Sequence, residues 1–150
     1  MEYREVRLDD GLLETLIEMS EEWEREDITF GYVKNSREDI EGKRIFLASE
    51  NGETAGYLLA HEALMNNHRS IAPDGTPYLE IDELYVRAGR RSGGIGKGLF
   101  AAAERAAADS GLRLLLLHTS TKNYRAILHF YIDEVGMDFW SAALYKRIDA

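Results

Sequence analysis

Apolar residues along the chain repeat at two periods, and each change of period marks a predicted element. Tyr3, Val6 and Leu8 suggest a first strand. Leu12, Leu13, Leu16, Ile17 and Met19 then share one helical face behind Asp9 or Asp10 as an N-cap, and this helix runs to about Arg25. Residues 26–36 read as loop and 37–42 as a short helix. Residues 45–49 and 54–61 read as two strands around Asn51-Gly52, a dipeptide suited to a hairpin turn in which both residues need positive φ. Asn66-Asn67 and Pro73-Asp74-Gly75 are turn formers, so residues 62–77 read as loop. A strand follows at 78–87, then an alanine-rich helix at 94–109 with Gly111 as its stop. The apolar run within 112–119 suggests a strand buried on both faces. A helix is expected at 123–134, and a last strand, or a pair of short ones, at 138–148. This order predicts an α/β fold of the α+β kind, a mixed sheet with helices on its faces. The 150 residues hold no repeat, low-complexity tract or linker, so the chain reads as a single domain over 1–150.

Composition narrows the class. Hydrophobic residues make up 45% and charged residues 30%, which excludes a disordered chain. There is no cysteine, so disulfides, thiolate nucleophiles and Cys-ligated metals drop out. His61, His68, His118 and His129 are scattered without H-x-x-x-H spacing, and no metal is expected. The first eight residues lack an apolar signal core, and no apolar run approaches the roughly 20 residues that span a bilayer. A cytoplasmic protein with no membrane partner is expected. The net charge of −9 is unevenly spread: residues 1–76 hold 8 Lys/Arg against 18 Asp/Glu, and residues 77–150 hold 10 against 9. Such acidity disfavours nucleic acid and suits a cationic substrate, although it also serves solubility alone.

The segment richest in chemistry runs from Leu84 to Leu99. A strand ends near Arg87, a loop rich in glycine and arginine follows, and a helix starts near Gly94. Glycines let backbone N–H groups approach an anion, and a helix N-terminus adds unpaired N–H groups and the positive end of its dipole. Arg90, Arg91 and Lys97 add charge. The segment reads as a pyrophosphate cradle. It is not a Walker A loop, because Gly96-Lys97 is followed by Gly98 rather than Ser or Thr. Gly96, Gly98 and Ala101 match a dinucleotide G-x-G-x-x-A pattern, but they lie inside the helix and lack the acidic residue about 20 positions on. A glycine-rich turn with no ligand is the remaining reading.

Arg91-Ser92-Gly93-Gly94-Ile95-Gly96 resembles the R/Q-x-x-G-x-G/A acetyl-CoA loop of the GNAT superfamily of N-acetyltransferases. Leu84-Tyr85-Val86 resembles that family's L-x-V strand end, and Asn123 through Ala126, Phe130-Tyr131 and Gly136-Met137 resemble its N-x-x-A…F-Y…G-F motif. The element order agrees. The resemblance implies a mixed, mostly antiparallel sheet of six or seven strands that splits between the fourth and fifth. It also implies transfer of an acetyl group from acetyl-CoA, as cosubstrate, to a primary amine of a small molecule or peptide, by direct attack with both substrates bound. Homodimers are frequent in the family, so a homodimer is expected. By the same resemblance, backbone of Leu84, Tyr85 and Val86 would meet the pantetheine arm and thioester. Arg91, Ser92, Gly93, Gly94, Ile95, Gly96 and Lys97 would hold the pyrophosphate, and Asn123 would contact the arm.

Two proton tasks follow. An alkylammonium, with a pKa near ~10.4, must lose a proton before it attacks, so a base is needed. Glu80 and Glu83 match two acidic positions used by relatives. Strand alternation puts them on opposite faces unless a β-bulge intervenes, as is common in the family; Glu83 is favoured as substrate-facing and Glu80 is kept beside it. Tyr131 would protonate the departing thiolate. It lies one residue later than the family spacing, which implies a bulge or shifted turn in its helix; its alternative role is core packing. Trp23, Phe30 and Tyr32, interleaved with Glu22, Glu24, Glu26 and Asp27, would wall an acceptor site for a cation. Two competing functions are an acyl-CoA sensor without catalysis, and an enzyme acting on a protein N-terminus or lysine.

Overall fold

The strands lie side by side in chain order: β1 (Glu2–Val6), β2 (Arg44–Glu50), β3 (Glu53–Leu64), β4 (Pro77–Val86) and β5 (Leu115–Leu117). In this computed structural model, which describes residues 1–67 and 70–149, the first four are antiparallel and β5 runs parallel to β4. His68 lies outside the described residues. Asn51 and Gly52 turn between β2 and β3 with φ of 53° and 80°, the geometry that the Asn-Gly pair predicts. β3 runs three residues past its expected end, because Leu64 still pairs with Pro77 on β4.

Alternation divides the core between two helices. Helix α1 (Asp10–Glu26) starts where the Asp9 carboxylate accepts from the Leu12 N–H at 2.8 Å. Its Leu13, Leu16 and Met19 pack with Ile45, Leu47, Tyr57, Leu59 and Tyr85. A single turn, α2 (Arg37–Ile40), closes that layer with Ile40. Helix α3 (Ile95–Asp109) covers the other face, where Phe46, Leu58, Ala60, Leu79 and Ile81 meet Leu99, Phe100 and Ala103. A Cβ added at Gly98 of α3 would stand 2.2 Å from the Tyr3 ring, so the ring lies directly on that glycine. Gly98→Ala is therefore expected to destabilise the fold by roughly 1–3 kcal/mol, read by denaturant unfolding. In a Tyr3→Ala background the same substitution should cost far less, as a double-mutant cycle would show.

Two segments depart from expectation. The strand expected at 112–119 shortens to β5, and the last strand expected at 138–148 does not form among the described residues, leaving five strands rather than six or seven. A strand needs a partner edge, and β5 presents only three residues. Residues 138–149 run as irregular chain instead, with Leu144 and Ile148 more than nine-tenths exposed and Tyr145 edge-on to Phe30. The helix expected at 123–134 forms as α4 (Tyr124–Leu128) followed by a π-helical turn (His129–Glu134), closed by Val135 N–H on Phe130 O at 3.0 Å. Among the described residues no helix is long and apolar enough to cross a membrane.

Candidate active site

β5 pairs with β4 only at Leu79, Glu80 and Ile81, so residues 82–86 of β4 keep an open edge. The antiparallel ladder decides which groups face it. Arg87 N–H donates to Ala55 O, which puts Arg87, Tyr85 and Glu83 in the hydrogen-bonded positions against β3. Leu84 and Val86 therefore turn N–H and C=O outward, and Val86 O accepts Arg91 Nε from that side at 2.9 Å. Tyr85 contributes its ring rather than its backbone.

The glycine-rich loop begins at the end of this edge. Ser92 and Gly94 take left-handed φ values of 68° and 81°, and Gly94 caps α3 without a side-chain bond. The first intrahelical bond is made by Gly98 N–H to Gly94 O, so the N–H groups of Ile95, Gly96 and Lys97 have no partner within the helix. A Cβ on Gly94 would meet nothing within 4 Å, so the backbone at the helix start is open on that side. At Gly96 a Cβ would come 3.3 Å from Phe130, so this glycine admits the π-turn against α3. Asn123 stands exposed at the start of α4 with no capping bond from its side chain.

Tyr131 sits in the π-turn, which absorbs the one-residue excess in its spacing. Its ring packs on Phe130 at 5.0 Å and Phe100 at 6.4 Å, against the α3 face of the sheet. Burial pushes the phenol up to about 12, so it holds its proton at neutral pH.

The carboxylates gather on the α1 face because of a β-bulge. Leu59 opposes Glu83 and Ala60 opposes Ile81, leaving Asp82 as the extra residue. Ile81 and Leu84 can then both face α3, and Glu80 and Glu83 share the opposite face. Glu83 Oε1 accepts three bonds: from Tyr57 Oη at 2.7 Å, Asn35 Nδ2 at 2.9 Å and Tyr32 Oη at 3.1 Å. None of these donors uses Oε2. Burial raises the Glu83 pKa above the ordinary carboxylate range, the three donors pull it back in part, and Asp82 adds to the rise. Glu80 lies across from His61, whose Nδ1 stands 2.7 Å from Asp82 Oδ2. His61, Glu80 and Asp82 bring possible ligand atoms within 4.8 Å of one another, and Lys43 Nζ, 2.9 Å from Asp82, already supplies a positive charge there.

An aromatic wall flanks Glu83. Trp23 lies 4.1 Å from Tyr32 and stacks on Tyr85 at 5.3 Å, and its Nε1–H donates to Thr29. Glu26, at the end of α1, receives both Nη groups of Arg91 at 2.7 and 2.8 Å together with the Tyr85 hydroxyl. Burial raises its pKa, but Arg91 and Tyr85 outweigh this and hold it below the usual carboxylate range. Phe30 stands apart from the wall, half exposed under Lys122. Sequence reasoning missed Tyr57 and Asn35. Tyr57 alternates like any core strand residue and Asn35 sits in a loop, and they reach Glu83 from 26 and 48 residues away in the chain.

The sequence profile of the acetyltransferase (GNAT) family matches residues 11–137. The chain belongs to that family. Among solved structures, aminoglycoside N-acetyltransferase AAC(6')-Iy in complex with CoA is 18% identical, covering 99% of this chain and 100% of that one, with a TM-score of 0.69. An aminoglycoside acetyltransferase from an uncultured soil metagenomic sample, in complex with trehalose, is 16% identical over 98% and 97% of the two chains, with a TM-score of 0.67. A transcriptional regulator from Bacillus halodurans C-125 is 20% identical over 98% and 99%, with a TM-score of 0.71. At these identities the likeness establishes the GNAT fold; the functions those proteins are named for differ among themselves. A search of curated proteins found no match.

Proposed function

We propose that this GNAT acetyltransferase moves an acetyl group from acetyl-CoA to a primary amine of a small molecule or peptide. The observation that carries the reading is the open edge of β4, which leads from the Glu83 carboxylate to the glycine-rich loop within one strand. Leu84 and Val86 offer that edge to the amide groups of a pantetheine arm, and an outward N–H polarises the thioester carbonyl. Ser92 to Lys97 offer backbone N–H groups and a lysine to the pyrophosphate, and Asn123 offers its amide to the arm. Glu83 takes the ammonium proton on Oε2 while Tyr57, Asn35 and Tyr32 fix the carboxylate through Oε1. The neutral amine nitrogen bonds to the acetyl carbon as the carbon–sulfur bond breaks, Tyr131 gives its hydroxyl proton to the sulfur, and the second proton shed by the acylated nitrogen returns the phenolate to the phenol. Positioning of the two substrates supplies much of the rate. Glu80 stands on the same face as Glu83, opposite His61, as the second candidate base.

The acceptor class follows from the wall. Trp23, Tyr32 and Tyr85 around the Glu83 carboxylate suit an organic cation, while Glu22 and Glu26 on the same helix are paired with Arg87 and Arg91. Two of the similar structures are named as acting on aminoglycosides, which are polycationic amines, and that chemistry agrees with this wall. Tyr131→Phe tests the role of the phenol. Turnover, followed by thiol release, is expected to fall about 10²-fold with CoA affinity unchanged. Unaltered turnover would reduce Tyr131 to a packing residue.

A further inference from the structure

The loop arginine is already occupied. Arg91, the residue expected at the pyrophosphate, is chelated by Glu26 through both Nη groups and bonded through Nε to Val86 O, and its guanidinium lies 5.5 Å from the centre of the Tyr85 ring. It thus covers one carbonyl of the open β4 edge. Glu26 in turn belongs to α1, the helix that carries Trp23 and the acidic wall. Glu26 and Tyr85 also line an open depression together with Glu22, Arg25, Arg87 and Gly89.

We propose that the Glu26–Arg91 pair is a latch shared by the two substrates: the anionic cofactor takes Arg91 from Glu26, and the released Glu26 carboxylate becomes the partner of the acceptor's ammonium. The inference rests on the acetyl-CoA reading above. The pair is well placed to exchange. Its side chains are only partly covered, at 38% exposure for Arg91 and 21% for Glu26, so opening it needs no unfolding. A pyrophosphate at the α3 N-terminus offers Arg91 an anion of higher charge in the same bidentate geometry. Without Arg91, Glu26 keeps only the Tyr85 hydroxyl and stands as an uncompensated anion beside the Tyr85 ring, while neighbouring Glu22 stays paired with Arg87 at 3.2 Å, so the released Glu26 carboxylate is the group that attracts a cation. Each substrate thereby prepares the site of the other, and linkage requires the effect to be reciprocal.

Two measurements test the latch. Calorimetric titration of CoA into Glu26→Gln should show binding at least about 5-fold tighter than in the wild type, because the neutral amide competes poorly for Arg91. In the wild-type protein, an NMR titration of the 13C-labelled Glu26 carboxyl should show a pKa below the ordinary range when free and a return upward when CoA is saturating. The second experiment needs no variant, so it decides the matter even if Glu26→Gln fails to fold. Equal or weaker CoA binding by a folded Glu26→Gln, or a Glu26 pKa that stays low with CoA bound, overturns the latch and leaves the acetyl-CoA reading intact. If neither protein binds CoA, the acetyl-CoA reading falls and the latch with it.

Discussion

Glu83→Gln is expected to lower kcat/KM by about 10²- to 10³-fold, the usual contribution of a positioned general base. Glutamine keeps the shape and one carbonyl oxygen, so Tyr57, Asn35 and Tyr32 can still donate to Oε1 and CoA affinity should not move. What is lost is the charge on Oε2. The pH profile separates this from a structural effect. Burial raises the Glu83 pKa, so the acidic limb of the wild-type kcat/KM should sit above the ordinary value of 4.5, with activity rising as pH passes through it. That limb should vanish in Glu83→Gln. The linkage has the opposite sign for stability. A carboxyl that binds its proton more tightly when folded contributes stability below its unfolded pKa, and that contribution is lost as pH rises through the folded pKa. The variant should therefore melt no lower than the wild type near neutral pH. A variant with full activity and an unchanged acidic limb would move the base to Glu80.

The second large effect is expected at the loop. Gly94→Asp should weaken CoA binding by at least about 10²-fold, because it places a carboxylate where the helix dipole and free N–H groups attract an anion. Gly94 adopts φ 81°, and Asp and Asn are the side chains that best tolerate this region. Gly94→Asn is thus a matched control for shape and backbone strain. Both variants should melt alike, and only the aspartate should lose CoA; isothermal titration of the pair reads the difference. Equal affinities in the two variants would remove the anion site from the N-terminus of α3.

The physical reasons for what was legible in the sequence are local. Asn51-Gly52, the Asp9 cap and the apolar stripe of α1 act within a few residues, and each formed as its chemistry requires. The resemblance also carried two register defects. The extra residue before Tyr131 appears as a π-turn, and the question of how Glu80 and Glu83 could share a face is answered by the bulge at Asp82. Contacts between distant segments were not legible. Nothing near Arg91 signals that Glu26, sixty-five residues earlier, will chelate it, and nothing near Tyr57 marks it as the closest donor to Glu83. The strand expected at 138–148 shows the same limit from the other side. Alternation can suit a segment for a sheet, but only a free edge of sufficient length makes it a strand, and β5 ends after Leu117.

Thermal melting of the protein with acetyl-CoA, CoA or NAD tests the central claim most directly, since a ligand that binds only the folded state raises the melting temperature by an amount that grows with the logarithm of its concentration above Kd. The open β4 edge and the α3 loop predict a clear rise with both CoA species and none with NAD. No rise with either CoA species at concentrations well above micromolar would contradict the account.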